Sequence, residues 1–543
     1  MRLTSSLLTV ALAAIVPLAS LSGAASAHPS GSDFWDGTYA ATDVSSVEVI
    51  TGSSDVPITR QSDNVAFVAH VPVGPTSDMQ HQRREGRQVL GGQVIDRRLD
   101  LVVLGGTATP GVSIIDVTSP QAPVVLTTIS CGGFHSDVAI YQNYLIQSWD
   151  GANRPCEERE PANRYDVDRP ADKGLRIFDV TDPAKPVLVK FFGREDGIPA
   201  GVHNITVNGD DGLLYLNMAE FNSVDPPWGF VDLDDPELPL TMKSIRDWSP
   251  TAADGCHDAG IAPKRQLLAC AGITASYIWD ISDPRQPVEV AVIANPSISI
   301  HHGARWTPDE MLLVLGDELA GAATDSPCTG GTERTPVGAT WFYDAAVAAA
   351  PVLLGTFSVS DTEGEYCTSH FYGFVEGTTL MPTGWYDAGI EIVDYGPVAG
   401  GLPGIPTSHA VFEPEGGAFF SAYAWHGYVY GSSFEYGAEG GIDDAARGLW
   451  IVKVDGIDDV APSAVDEGIA WGRWGSVLPA DIPLGPFSVT KADVTLAERG
   501  LIAGAVAVAP ASAPLPVTGG GVVALGGLLV AGADLLRRRR RTA

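Results

Sequence analysis

Five of the eleven histidines recur at similar intervals along this sequence of 543 residues. Each of the five follows the aspartate of a repeated motif: Asp116 and His135 are the closest such pair, and Asp344 and His370 are the most widely spaced. Imidazole nitrogens that converge on one point are common protein ligands for zinc, copper, iron and nickel. The spacing therefore predicts a shared site where a transition metal, zinc or copper among them, could bind. The five histidines are His135, His203, His257, His302 and His370.

Acidic side chains stand in sequence near these histidines. We expect them to accept hydrogen bonds from the imidazoles and so to determine which ring nitrogen faces a metal. A second interpretation has equal support, because repeats arise by duplication and an ancestral histidine with a purely structural hydrogen bond would also recur in phase. The predicted acceptors are Asp137, Asp258, Asp317 and Glu318.

Two further histidines test how the site is arranged. His301 directly precedes His302. Neighbouring side chains on a strand point to opposite faces, so only one of the two can face inward. His426 stands farther from the preceding motif aspartate, Asp394, than any of the five stands from its own, which makes it an off-phase candidate for a sixth inward residue.

The elements that would position the histidines are seven copies of one motif. The clearest copy reads Ile-Ile-Asp-Val-Thr-Ser-Pro at 114–120, and it recurs at 177–183 and 278–284. Weaker copies lie at 230–233, 341–344, 392–395 and 449–452. Each copy predicts a strand, a tight turn and a second strand. Because a period of roughly 50 to 60 residues is typical of propeller blades, we expect an all-β, seven-bladed β-propeller, with six or eight blades as the other options.

The N-terminal part of this region predicts how the ring closes. After Val454 no further Val-rich strand follows, so the last blade lacks its outermost strand. The segment 64–70, Asn-Val-Ala-Phe-Val-Ala-His, has the composition of that strand. We therefore expect a propeller over 62–455 whose last blade is completed from the N-terminus, with an N-terminal lead at 28–61.

At this point the sequence resembles a known family. The Ile-Asp-Val-Ser/Thr-Asp-Pro units are similar to those of LVIVD-repeat propellers, which bacteria and archaea export. The segments 202–207, 256–258, 316–322 and 367–370 resemble a histidine-bearing, exported actinobacterial subgroup. The resemblance implies the propeller fold and no particular activity.

Both ends of the chain resemble sorting signals. Residues 1–27 have the cationic, apolar and small-residue parts of a secretory signal peptide. At the other end, an apolar stretch at 520–536 and five arginines follow a pentapeptide that resembles the signal read by sortases. The segment 515–543 thus predicts brief retention in the membrane as a transmembrane helix, and then covalent attachment to cell-wall peptidoglycan, with 456–514 as a spacer. The motif is Leu515, Pro516, Val517, Thr518 and Gly519.

Charge and cysteine content agree with a surface location. The net charge of −33 disfavours nucleic acid as a partner. Six cysteines with no Cys-x-x-Cys pair, in an exported chain, favour disulfides over thiol chemistry. We expect pairs that are close in sequence: Cys131 with Cys156, Cys256 with Cys270, and Cys328 with Cys367.

These observations leave three functions open. The leading hypothesis is a cell-wall-anchored binding module, expected to be a monomer, with a histidine-lined, water-accessible central funnel that holds a transition metal. The alternative is a metal-dependent surface enzyme, an oxidoreductase or a hydrolase. The third, adhesion through the surface loops, would make the histidines dispensable. The sequence contains no Gly-x-Ser-x-Gly, His-Glu-x-x-His or phosphate-loop motif.

Overall fold

The computed structural model describes residues 47–458, except 55, 91–92, 107–110, 130–134, 150–173, 194–195, 199–200, 219–224, 237, 319–337, 360–367 and 435–445, and describes the backbone alone at 85–97. The predicted signal peptide, most of the spacer, and the sorting motif Leu515–Gly519 lie outside the described residues. So do Cys131, Cys156, Cys328 and Cys367. Within the described residues, no helix is long and apolar enough to cross a bilayer.

The described chain is made of short strands joined by tight turns. Three N-terminal strands come first: β1 (Ile50–Thr51), β2 (Ile58–Gln61) and β3 (Val65–Val71). Group 1 contains β4 (Thr76–Leu90), β5 (Gln93–Gly106), β6 (Val112–Asp116) and β7 (Val124–Ile129). Group 2 contains β8 (Val138–Tyr141), β9 (Tyr144–Trp149), β10 (Gly174–Asp179) and β11 (Val187–Phe192). Group 3 contains β12 (Asn204–Asn208), β13 (Leu213–Asn217), β14 (Pro227–Asp232) and β15 (Thr241–Ser244), followed by a 3-10 turn at Ile245–Asp247.

The C-terminal half repeats the same pattern. Group 4 contains β16 (Asp258–Ala262), β17 (Leu267–Gly272), β18 (Ala275–Asp280) and β19 (Val288–Ile293). Group 5 contains β20 (His301–Trp306), β21 (Leu312–Asp317), β22 (Thr340–Asp344) and β23 (Val352–Phe357). Group 6 contains β24 (Phe371–Tyr372), β25 (Leu380–Gly384), β26 (Ile390–Asp394) and β27 (Thr407–Pro414). Group 7 contains β28 (Ala418–Trp425), β29 (Tyr428–Phe434), β30 (Gly448–Val454) and β3.

Each of these groups is an antiparallel meander, and the described groups close into a ring. Side-chain hydrogen bonds to backbone carbonyls join neighbouring groups from 1 to 6 and group 7 to group 1: Ser77 to Ser136, Ser148 to His203, Thr206 to Ala259, Trp306 to Gly260, Tyr372 to Val314, and Thr76 to Ser433. Groups 6 and 7 are joined directly, because β24 pairs in parallel with β28. The all-β propeller prediction is confirmed. The blade number stays a prediction, since groups 6 and 7 share one sheet.

The predicted closing strand is confirmed. β3 pairs antiparallel with β30, with Val65 opposite Val454 and Val71 opposite Leu449. The N-terminal strand therefore covers the edge of β30, which would otherwise present unpaired backbone groups. The ring is closed by two segments from opposite ends of the described sequence.

The repeated aspartate has a common structural role. Its Oδ1 accepts the backbone N–H two residues ahead in groups 1, 2, 4, 5 and 6, at 2.8–3.0 Å. Such a bond stabilises the turn that separates the third and fourth strands. The repeated motif is therefore a turn signal in these five groups, and the turn leads into the fourth strand of each.

Candidate metal centre

The predicted histidines lie at or just before the first strand of groups 2 to 6, which is the inner strand of each group. His203, His257 and His370 directly precede β12, β16 and β24, while His302 is the second residue of β20. His135 lies just before β8. The backbone N–H of His257 bonds the carbonyl of Ala271, and that of His203 bonds Asn217, so the strand ladder itself sets where each side chain begins.

The five imidazoles contact one another in order around the axis of the ring. Their centroids are 4.3 Å apart from His135 to His203, 4.4 Å from His203 to His257, 4.1 Å from His257 to His302 and 4.2 Å from His302 to His370. The phenyl ring of Phe420 completes the circle, at 4.0 Å from His370 and 5.0 Å from His135. The structure brings together all five predicted histidines, and we call these six residues the central ring.

The central ring is more enclosed than expected. None of its five histidines is more than 8% exposed, whereas the sequence suggested a water-accessible funnel. Phe371 and Phe420, each 1% exposed, cover part of the cluster. The expectation of open imidazoles is therefore wrong, because aromatic side chains pack against them.

The hydrogen bonds of two ring members determine their tautomers. His135 Nδ1 lies 3.1 Å from the carbonyl oxygen of His203, and His370 Nδ1 lies 2.7 Å from that of Phe420. A carbonyl oxygen only accepts, so Nδ1 carries the proton in both rings and Nε2 carries a lone pair. A lone pair on Nε2 is what metal ligation requires.

The spacing of His203 and His257 also fits a shared ion. Their Nε2 atoms are 2.9 Å apart. Two nitrogen ligands at about 2.1 Å from one metal stand about 3 Å apart when they are at right angles. One of these nitrogens donates to the other, and a cation between them could replace that proton. Burial lowers the pKa of His203 to about 3, which keeps its imidazole neutral.

Glu318 supplies a carboxylate to the same cluster. Its Oε2 lies 3.3 Å from Nε2 of His302, and its Oε1 lies 3.9 Å from Nε2 of His370. The hydroxyl of Tyr386 donates to Oε1 at 2.5 Å. Burial raises the pKa of Glu318 to about 8, so the charged carboxylate is unfavourable there without a nearby cation.

Three of these groups form a compact set of donors. One ligand atom each from His257, His302 and Glu318 lies within 4.8 Å of the other two, and all three residues are buried. Neutral imidazole and carboxylate without thiolate suit zinc, iron, copper, nickel or manganese. This buried triad could therefore hold a metal ion.

The three aspartates predicted to accept hydrogen bonds from the imidazoles bond other groups instead. Asp258 pairs with Arg305 at 2.5 Å, Asp137 accepts the N–H of Ile205, and Asp317 accepts those of Ser299 and Ile300. Where a tautomer is determined, backbone carbonyls accept the ring N–H. Glu318 moves from the supporting role predicted for it to a place among the candidate ligands.

Two further histidines, His301 and His426, lie outside the central ring. His301 faces away from the ring and bonds the hydroxyl of Ser276 through Nδ1 at 2.7 Å, so His302 is the inward member of that pair. His426 follows β28 in a turn with φ of 44° and packs edge-on against Trp425. The sixth place in the ring belongs to Phe420 instead.

Sequence reasoning missed two residues of the site. Phe420 follows Asp394 at the same interval that separates His370 from Asp344, so its phase was a usable signal. Tyr386 lies outside the repeated motif and does not share the spacing of the five histidines. It has a φ of 33°, in a region that favours glycine, and it pairs with Phe419 in an isolated bridge. Such backbone strain is often found at functional sites.

The predicted disulfide between Cys256 and Cys270 is present. It joins the residue before His257 to β17, whose Ala271 accepts the N–H of His257. The covalent link therefore restrains the segment that carries one of the candidate ligands.

Comparison with known proteins identifies no residue of the site. The sequence matches no protein-family profile and no curated protein. Among solved structures, U3-55K is similar at 12% identity and a TM-score of 0.43, over 75% of this chain and 98% of that chain. The WD40 repeats of RRP9 are similar at 11% identity and a TM-score of 0.44, over 73% and 99% of the respective chains.

Proposed function

We propose that this chain is an exported, wall-anchored LVIVD-type propeller that acts as a monomeric surface binding module with a transition-metal ion at its centre. The observation that carries the proposal is the buried set of His257, His302 and Glu318, whose ligand atoms lie within 4.8 Å of one another. His203, with Nε2 at 2.9 Å from Nε2 of His257, is the next candidate ligand.

The metal interpretation accounts for more of the geometry than a structural role does. A structural histidine needs one hydrogen bond to a neighbouring strand, and His135 and His370 make such a bond through Nδ1. That role does not require five imidazoles at one level, nor a carboxylate between His302 and His370. A cation at this position would stabilise the charged form of Glu318, whereas burial alone favours its protonated form.

The metal site is tested by elemental analysis of the full chain after exposure to zinc, copper or iron and removal of loose ions. We expect about one ion per chain in the parent and less than a tenth of that in His257→Ala. His409→Ala is the matched control, because His409 lies outside the central ring and bonds the carbonyl of Asp455. An equal metal content in the parent and in folded His257→Ala would contradict the proposed metal site.

Wall attachment is supported by the sequence from Leu515 to Gly519, the apolar stretch behind it and Arg537–Arg541. Its test is fractionation of cells that produce the parent or Thr518→Ala. The parent should leave the cell only after digestion of peptidoglycan, while the variant should stay with the membrane or enter the medium. Muramidase release of both forms in equal amounts would contradict sortase anchoring.

A further inference from the structure

The central ring has one member that cannot bind a metal. Phe420 occupies the phase of a histidine and contacts both His370 and His135, at 4.0 and 5.0 Å between centroids. A phenyl ring offers no lone pair. The side of the cluster that faces Phe420 therefore lacks the donor that an in-phase histidine would place there.

A second phenyl ring borders the same region. Phe371 lies 4.4 Å from His370 and 5.2 Å from His302, and 5.6 Å from Phe420. Both phenylalanines are 1% exposed. The guanidinium of Arg305 lies 5.5 Å from the Phe371 ring, but it is paired with Asp258. The surroundings thus favour a small, uncharged molecule over a charged or bulky one.

The types of ligand side chain indicate which metal could bind here and keep a coordination position open for such a molecule. Two histidines and one carboxylate form the set that holds non-haem iron(II) in sites with open coordination positions. His257, His302 and Glu318 provide that combination. Even with His203 and His370 as further ligands, an ion that prefers six ligands retains one open position.

We propose that the central ring holds iron(II) with an open coordination position facing Phe420, and that this position reversibly binds a small uncharged diatomic molecule of the dioxygen class. This inference rests on the proposed metal site and adds the metal, the position and the ligand class. Binding alone is proposed, so no bond within the protein forms or breaks.

The test uses nitric oxide as the probe, because it occupies open positions on iron(II) and gives a distinctive high-spin electron paramagnetic resonance signal. The full chain is loaded with iron(II) without oxygen, its iron content is measured, and nitric oxide is added. We expect nearly every bound iron in the parent to give the nitrosyl signal.

The variant Phe420→His places an imidazole at the open position. It should keep its iron and lose the nitrosyl signal at least tenfold. Phe67→His is the matched control, since Phe67 lies on β3, the outermost strand of group 7, and packs against Trp450 at 5.9 Å. It should keep both iron and signal.

The outcomes separate this inference from the function on which it rests. Iron that is bound without a nitrosyl signal in the parent overturns the open position and leaves the metal site intact. An undiminished signal in iron-loaded Phe420→His overturns the position facing Phe420. If the parent binds no iron, zinc or copper, both proposals fall. The parent measurement decides the open position even if Phe420→His does not fold.

Discussion

Tyr386 donates a hydrogen bond from its hydroxyl to Oε1 of Glu318 across 2.5 Å, while its ring stacks on His370 at 5.0 Å between centroids. One side chain therefore orients the carboxylate and supports an imidazole of the central ring. Its backbone has a positive φ, and the paired backbone of Phe419 holds it there. A tyrosine rarely adopts that conformation.

Removal of that hydroxyl should weaken metal binding without unfolding the protein. Tyr386→Phe keeps the aromatic stack and leaves Glu318 without its donor, so we expect affinity to fall by about tenfold to a hundredfold. Competition with a chelator measures the change. Tyr395→Phe is the control, since the hydroxyl of Tyr395 bonds the carbonyl of Thr378 away from the ring. Equal affinities of parent and Tyr386→Phe would show that the hydroxyl does not position the ligand.

Metal binding should release a proton at neutral pH. The pKa of Glu318 is raised to about 8 by burial, so its carboxyl is mostly protonated at pH 7 until a cation binds. Apparent affinity should therefore fall by up to about tenfold for each pH unit below 8. Calorimetry in buffers of different ionisation heat counts the released protons. Metal binding to Glu318→Gln should not release this proton. A proton count equal to that of the parent would contradict the role of Glu318 as the group that loses it.

Glu391, away from the ring, should make the free energy of unfolding depend on pH. Burial raises its pKa to about 7, while the unfolded value lies near 4.5. A raised carboxyl pKa means that folding favours the protonated form, so stability is lost as the pH rises from about 4.5 through 7. The loss is at most about 3 kcal/mol. Denaturant unfolding should show Glu391→Gln gaining on the parent between pH 5 and pH 8, while exposed Glu415→Gln follows the parent. A constant difference between parent and Glu391→Gln at both pH values would argue against the shift.

The disulfide beside His257 should affect both stability and the site. Cys256 and Cys270 close a short loop of sequence separation 14. The expected contribution of such a loop is about 3 kcal/mol. The double change to serine should lower the free energy of unfolding by that order. It should also weaken metal binding, because the segment before His257 loses its restraint. Metal affinity equal to that of the parent in the folded double variant would confine the disulfide to a stabilising role.

Much of the fold was predictable because it depends on local signals that repeat. The aspartates at 116, 179, 280, 344 and 394 make the same turn bond, and the strand at 65–71 was recognisable by its composition. The histidines could be grouped for the same reason. Once the turns recur in phase, the inner strands begin at equivalent heights.

The rest of the site depends on contacts that no repeat encodes. Asp317 and Glu318 are neighbours, yet their side chains diverge at the end of β21. Asp317 accepts the amides of Ser299 and Ile300, and Glu318 meets His302. Which of these two carboxylates faces the central ring depends on how groups 5 and 6 pack against each other. Tyr386 reaches Glu318 from a bridge outside the regular strands, so its role becomes visible only in three dimensions.

The most direct test is a crystal structure with diffraction data collected on both sides of the absorption edge of the bound metal. The account predicts one strong anomalous peak within about 2.0–2.2 Å of a donor atom from each of His257, His302 and Glu318. Peaks confined to surface carboxylates, or none after iron, zinc and copper have each been supplied, would contradict a metal centre and leave the imidazoles with a structural role.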